Sequence, residues 1–349
     1  MIQVAQAVAS GVEFCPGLHP LAWVLLACLL DRCLGDPRWS PHPVVVMGWC
    51  IARLRPLAER WAGARPWRLR LAGGLITLLL VAGSAAAGWA LVAALQQLPA
   101  GSSRRLVLQG VVVMALASAL AGRSLEQAVK AVLSALAAGD LAQARRRLAW
   151  IVGRDTDSLN EREVLRALAE TASENAVDGL FAPLFWMLMG ASVGQPLALA
   201  WGFKAASTLD SMLGYRRGTL RWLGTAGARL DDLLVWLPSR LVALSLPLVA
   251  GVAPAAACGQ FRAACRDGAP DPSPNAGLSQ AAYAHVVGVQ LGGLNSYGGE
   301  LRRKPLLAAG SPAPDAAAVM RMLVLSRRTA VLWLLLATLL AVIITKALS

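Results

Sequence analysis

The sequence predicts an all-α, polytopic integral membrane protein with re-entrant or interfacial helices and polar helices and loops on its cytoplasmic side. Three observations predict it. Of 349 residues, 56% are hydrophobic and 15% charged, whereas a soluble domain runs at about 45–50% apolar and about 25% charged. The apolar residues fall into runs as long as a bilayer crossing requires, roughly 17–25 residues. The net charge of +13 is carried mostly by arginines between those runs, where cytoplasmic loops collect such charge. Low polarity excludes a disordered or fibrous chain. Nucleic acid is not expected as a partner, because most tryptophans sit in or beside apolar runs rather than on a soluble basic face. Cys15, Cys28, Cys33, Cys50, Cys258 and Cys265 show neither a CxxC pair nor zinc spacing and read as reduced packing residues. No cleavable signal is expected, since the first residues lack a basic n-region and include Glu13.

Crossings are expected at about residues 18–34, 71–95, 106–122 and 329–345 within a single membrane-embedded domain over 1–349. Two further runs are long enough but broken: 180–203 by Pro183, Gly190, Gly194 and Pro196, and 233–253 by Pro238, Arg240 and Pro247. Broken helices are tolerated where they pack on protein or line a cavity. The first connection carries Arg53, Arg55, Arg60, Arg65, Arg68 and Arg70, against Arg104 and Arg105 in the next, so it should face the cytoplasm across the inner cell membrane. Arginines at 145–147, 154, 162 and 166, then at 216, 217, 221 and 229, have the same sign. For all of them to share that face, at least one broken run must be a re-entrant or surface-lying hairpin. Residues 124–151 repeat apolar positions at helical spacing around Gly139-Asp140 and read as a helical hairpin. Nothing alternates with a period of two for long enough to suggest a sheet.

The densest polar stretch is Gly153-Arg154-Asp155-Thr156-Asp157-Ser158-Leu159-Asn160-Glu161, leading into a helix with Glu163, Glu170, Glu174, Asn175 and Asp178. At 3.6 residues per turn, Glu170, Glu174 and Asp178 share one face. Like charges at that spacing need a cation, a shared proton or full solvation. A solvated face is the ordinary outcome. Here Ala167, Ala169, Ala172 and Ala176 crowd them, which favours a partly buried Mg²⁺ or acid–base site. A second group is Lys204, Ser207, Asp210 and Ser211. Lys204, at the end of an apolar run, either snorkels to the interface or holds an anion. Asp232 and Arg240 lie at the interface or pair with opposite charges, and a purely structural ion pair accounts for them equally well. Pro-rich Asp271 to Gly277, with Ser273 and Asn275, and Gln290 to Gly299, with Asn295 and Tyr297, read as loops where backbone approaches a ligand. Asp31, Gly35, Asp36, Pro37, His42, Pro43 and Gly48 form a similar turn. His42 has no second histidine at metal spacing and reads as a hydrogen-bonding residue before a ligand. No Gly-rich phosphate loop, HExxH, GxSxG or GxGxxG opening a helix occurs.

Four ordered blocks, Asp31 to Gly48, Gly153 to Phe185, Lys204 to Arg240 and Ser273 to Gly298, resemble the membrane-bound adenosylcobinamide-phosphate synthase family of cobalamin biosynthesis, the CobD/CbiB type. The second is the most specific, through its Arg-Asp-Thr and Glu-Asn-x-x-Asp-Gly pieces. Departures from the family pattern are Ser207 for Asn, Val235 for Asn, Pro272 for His and Leu294 for Pro; none removes a carboxylate. The resemblance implies an ATP-dependent ligase joining adenosylcobyric acid to (R)-1-aminopropan-2-yl phosphate, with Mg²⁺ and ATP as co-substrate. Such chemistry needs an activated carboxyl, most simply an acyl phosphate, and a neutral amine. On this reading Glu170, Glu174 and Asp178 bind metal or move protons, and Asp155 and Asp210 orient groups or take protons. Arg154 and Lys204 meet phosphate charge. Ser273, Asn275, Asn295 and Tyr297 contact the corrinoid or the aminopropanol phosphate, with Asn175, Asp36 and His42 as further binding residues. The lipid bilayer and other cobalamin-biosynthesis enzymes are the remaining expected partners. The competing reading is a membrane transporter or signalling component, whose intramembrane charges line a path.

Overall fold

The structure is a computed structural model that describes residues 20–35, 42–99 and 101–348; Asp36 lies outside the described residues. The chain is helical as expected. Its first helices are α1 (Pro20–Leu34), α2 (Pro43–Ala62), α3 (Pro66–Gln96), α4 (Ser103–Ala117), α5 (Gly122–Ala137) and α6 (Leu141–Ala149). Prolines open α2 and α3, where the missing amide would have been unpaired anyway and φ is already helical. Asp140 caps α6 by accepting the Gln143 N–H at 2.7 Å, which makes α5 and α6 the expected hairpin.

α7 (Glu161–Ala176) runs through a π-type turn at Val177–Phe181 into α8 (Ala182–Ser192). Pro183 supplies the physical reason for that turn. In an α-helix its amide would bond Gly179, but proline has none. The Gly179 carbonyl instead accepts the Ala121 N–H at 2.7 Å, which fastens the turn to the break between α4 and α5. α9 (Pro196–Leu213) then packs back on α8. The reversal is tight: Gly194 has φ +74, and a Cβ at Gly190 would lie 2.6 Å from the Gln195 carbonyl oxygen. The broken run at 180–203 is therefore a helical hairpin.

The other broken run is not broken. After the short α10 (Leu220–Leu223), α11 (Thr225–Val249) is continuous through Pro238 and Pro247. Pro238 leaves the Leu234 carbonyl without its helical donor, and the Trp186 indole N–H fills the place at 3.1 Å. A tertiary donor thus offsets the cost of an interior proline.

α12 (Pro254–Gly268), α13 (Ala276–Val287) and α14 (Ala316–Leu348) complete the helices. α3, α11 and α14 are long and apolar enough to cross a membrane, and α4 with α5 add a fourth candidate as one span bent by 44°. Within the segment at 18–34 the described residues form α1, 15 residues or about 22 Å of helix. The segment at 106–122 holds the end of α4 at Ala117 and the bend into α5. In α14, Leu335, Leu336, Leu339 and Leu340 are more than half exposed, an arrangement that belongs in lipid rather than water. Its apolar stretch from Thr329 to Ala347 is about 28 Å long, one hydrocarbon core. The Arg327–Arg328 pair marks its polar end.

The arginine-rich ends meet. Thr219 donates to Glu59 at 2.7 Å, and the Arg70 guanidinium stacks 4.5 Å from the Trp222 ring, so the α9–α10 connection joins the α2–α3 turn. Small residues let α3 approach its neighbours, as at membrane helix interfaces. A Cβ at Gly73 would lie 1.9 Å from the Leu223 carbonyl oxygen. Gly73→Ala is expected to destabilise the fold by about 1–3 kcal/mol through overpacking, read as a lower thermal midpoint of the purified protein.

The fold also contains strands that sequence reasoning took for loop. β1 (Leu291–Tyr297) pairs antiparallel with β2 (Glu300–Leu307), Tyr297 opposite Glu300, around Gly298 and Gly299. Both glycines have positive φ (+60 and +81), as a two-residue hairpin turn demands. The main core lies among α7, α8, α11, α13 and α14, with Leu168, Phe181, Leu184, Met187 and Tyr283 fully buried.

Candidate functional site

Asn160 opens α7 with a reciprocal cap, accepting the Glu163 N–H while Glu163 accepts the Asn160 N–H. This fixes the start of a helix whose acidic seam serves three separate sets of partners. Glu170 is buried; one carboxylate oxygen accepts the Gly292 N–H at 2.8 Å and the other meets Arg154. Arg154 also donates to Asn295 at 2.8 Å. Arg166 donates to the Gly292 and Leu294 carbonyls at 3.0 and 2.8 Å, so two guanidinium groups hold β1 against α7. Glu174 accepts from Gln280 of α13 at 2.7 Å. Asp178, on the π-type turn, lies in a cavity.

That cavity, of about 320 Å³, is lined by Asn175, Asp178, Lys204, Ser207, Asp210 and Asp231 among others. Its charges come from the π-type turn, α9 and α11. The Asp178 carboxyl is pushed well above the usual range, first by removal from water and then by the charges of Asp231, Glu174 and Asp210, with Lys204 opposing. Asp210 is pushed up to about 6, first by burial and then by Asp232 and Glu174. A group raised in this way holds its proton more tightly folded than unfolded. Its ionisation therefore costs stability as pH rises from its ordinary value through 6. Asp210→Asn is expected to be no more stable than wild type near pH 4 and to gain up to roughly 3 kcal/mol by pH 8, followed by thermal unfolding across that range.

Asp155 clamps the hairpin turn. It accepts from Gly299 N–H at 2.8 Å, Ser296 Oγ–H at 2.6 Å and Gly298 N–H at 2.9 Å, and those bonds hold its pKa below the ordinary carboxylate value. Lys304 on β2 lies 3.4 Å from Asp271. Burial pulls its pKa down, but Glu174, Asp271, Tyr297 and Glu170 outweigh that and raise it. Ser273 and Asn275 belong to the loop before α13: Ser273 reaches Asp232 at 3.4 Å, and Asn275 bonds the Asp232 carbonyl at 2.7 Å and accepts from Arg240 at 2.8 Å. Arg240 is thus held by side-chain and carbonyl dipoles rather than by an acidic partner.

The structure therefore brings Asn175, Asp178, Lys204 and Asp210 into one cavity and gathers Arg154, Glu170 and Asn295 into a separate buried knot. Tyr297 carries Arg302 on its ring at 5.7 Å. His42 sits at the N-terminal cap of α2 and does not line the cavity. Glu170, Glu174 and Asp178 do not form a metal cage: among the described residues no three carboxylate, imidazole or thiol groups converge closely enough to hold a metal ion. Glu170 is spent on Arg154 and Gly292. A Mg²⁺ that arrives with a nucleotide needs only one or two carboxylates besides water and phosphate oxygens, and the hard oxygens of Asp178 and Asp231 suit it.

A family model described as CobD/Cbib protein matches residues 24–326. The chain belongs to the CobD/CbiB family. It is 44% identical over 284 residues (81% of this chain, 83% of the relative) to cobalamin biosynthesis protein CobD of Pelobacter propionicus. It is 42% identical over 338 residues (95% of each) to cobalamin biosynthesis protein CobD of Synechocystis sp., and 39% identical over 285 residues (82% and 86%) to cobalamin biosynthesis protein CbiB of Salmonella typhimurium. No solved structure matches the chain. Sequence reasoning missed several residues of this CobD/CbiB chain's polar centre. Asp231 had a readable signal, an acidic pair heading an apolar run. Arg166, Gln280 and Lys304 had none, because their partners lie on elements far away in sequence.

Proposed function

We propose that the chain is an adenosylcobinamide-phosphate synthase, joining the propionate carboxyl of adenosylcobyric acid to the amine of (R)-1-aminopropan-2-yl phosphate with ATP consumed. Family membership supports the pathway, since relatives carry the name cobalamin biosynthesis protein. The observation that carries the chemistry is the cavity lined together by Asp178, Asp210, Asp231 and Lys204.

A carboxylate and an ammonium do not condense unaided in water, so the carboxyl must be activated and the amine must lose a proton. Asp210, whose pKa of about 6 lies near the working pH, takes that proton. Lys204 meets phosphate charge. Asp178 and Asp231 would hold Mg²⁺, which when bound supplies countercharge to the nucleotide phosphates. Asn175 orients the bound substrates. The hairpin is held to α7 and the segment before it by Arg154, Arg166 and Asp155, and on this reading its Asn295 and Tyr297 contact the corrinoid or the aminopropanol phosphate. On this reading the polar centre faces the cytoplasm across the inner cell membrane, the side on which arginine-rich connections collect.

The full-length protein in detergent, given adenosylcobyric acid, aminopropanol phosphate and Mg-ATP, is expected to yield adenosylcobinamide phosphate by mass spectrometry, with ATP hydrolysed only when both substrates are present. An unaltered corrinoid that accumulates inside vesicles would instead establish transport.

A further inference from the structure

A second cavity, of about 360 Å³, lies between α1, α5 and α14. Its composition changes along its length. At one end stand Arg32, Arg123, Glu126 and Arg327; along the rest run Leu25, Leu29, Val331 and Leu334. The charged groups share one level, since Arg32 pairs with Glu126 at 3.1 Å and Arg327 directly precedes the apolar stretch of α14. Val331 and Leu334 lie farther into that stretch, and Leu25 and Leu29 lie on the corresponding side of Arg32. The cleft therefore straddles the boundary between headgroups and hydrocarbon. It opens toward lipid: Leu29 is 59% and Val331 51% exposed.

The charged end favours an anion. Three arginines face Asp31 and Glu126, and Glu126 is also neutralised by Lys130 at 2.5 Å. The Arg123 Nε–H is buried without a hydrogen-bond partner, a cost that a phosphate oxygen at this end would remove. Neither a soluble anion nor a plain hydrocarbon matches both halves. We propose that this cleft binds an anionic phospholipid, its headgroup against Arg327, Arg123 and Arg32 and one acyl chain along Leu29, Val331 and Leu334. The site is separate from the acid cavity and does not depend on the reaction assigned to it. The first turn of α5 and the junction of α7 with the π-type turn stand between them: Leu125 lines both, Ala176 and Leu180 line this cleft, and Asn175 and Asp178 line the acid cavity.

The test is native mass spectrometry of the full-length protein titrated with phosphatidylglycerol or phosphatidylcholine of identical acyl chains. Phosphatidylglycerol is expected to bind at least about tenfold more tightly. Arg327→Gln, at an exposed position that leaves packing intact, should weaken it about fivefold, the share of one basic residue near an anionic headgroup. Arg328→Gln removes the same charge outside the cleft and should weaken it less than about twofold. Glycerol phosphate, the headgroup without chains, should not compete. Equal weakening by the two substitutions would reduce the effect to general surface charge and overturn the proposal. Indifference to headgroup, or displacement by glycerol phosphate or inorganic phosphate alone, would overturn it as well.

Discussion

Asp178→Asn is expected to cut amide formation by about 10²- to 10⁴-fold, equivalent to several kcal/mol of lost charge stabilisation, while raising the thermal midpoint of the unliganded protein. The two effects share one cause. Asp178 stands among the charges of Asp231, Glu174 and Asp210, in a place withdrawn from water, and such crowding is tolerable only with a proton or a bound cation present. Asparagine keeps the shape and is neutral without taking up a proton, so the empty cavity is relieved of the cost of holding one, and on the proposed reading the loaded cavity would lose a hard oxygen ligand. Stability is followed by thermal unfolding and activity by product mass. A variant at wild-type turnover would remove Asp178 from the reaction; lost activity with lowered stability would show that the residue serves packing instead.

Arg154→Ala is expected to destabilise the protein by about 3–5 kcal/mol, the usual consequence of leaving one member of a buried ion pair alone. The side chains of Arg154 and Glu170 are 8% and 1% exposed, so Glu170 would keep only the Gly292 N–H and gain almost no water. Because Glu170 and Arg154 also hold Gly292 and Asn295, the hairpin should loosen and become sensitive to proteolysis at Gly298–Gly299. Arg154→Met combined with Glu170→Met should recover most of the loss, since apolar replacement of both partners is often neutral or better. A single variant that melts with wild type would show that the pair contributes little.

Much of this architecture was legible in the chain. The apolar runs gave α3 and α14, and the glycine and proline at 194 and 196 gave the α8–α9 reversal. Errors arose where a distant group supplied a hydrogen bond. Pro238 reads as a break until Trp186 is seen on the Leu234 carbonyl. The strands at 291–307 show no alternation because glycines fill positions where Arg166 and the facing strand come close; only the Gly298-Gly299 turn betrayed them. The acidic seam of α7 was visible as a spacing, but its division among Arg154, Gln280 and the cavity depended on neighbours from β1, α13, α9 and α11.

The carbonyl of Gly179 has a consequence for which sequences this fold can accept. Its partner is the amide of Ala121, at 2.7 Å, so position 121 can drift among residues that carry an N–H but never to proline. A Cβ at 179 would stand 3.2 Å from the methyl group of Ala121, so bulk gained at one of these positions must be surrendered at the other. Proline at 183 keeps that carbonyl free to choose a partner outside its own helix. Positions 121, 179 and 183 thus constrain one another's permitted substitutions, although 121 lies far from the other two in the chain.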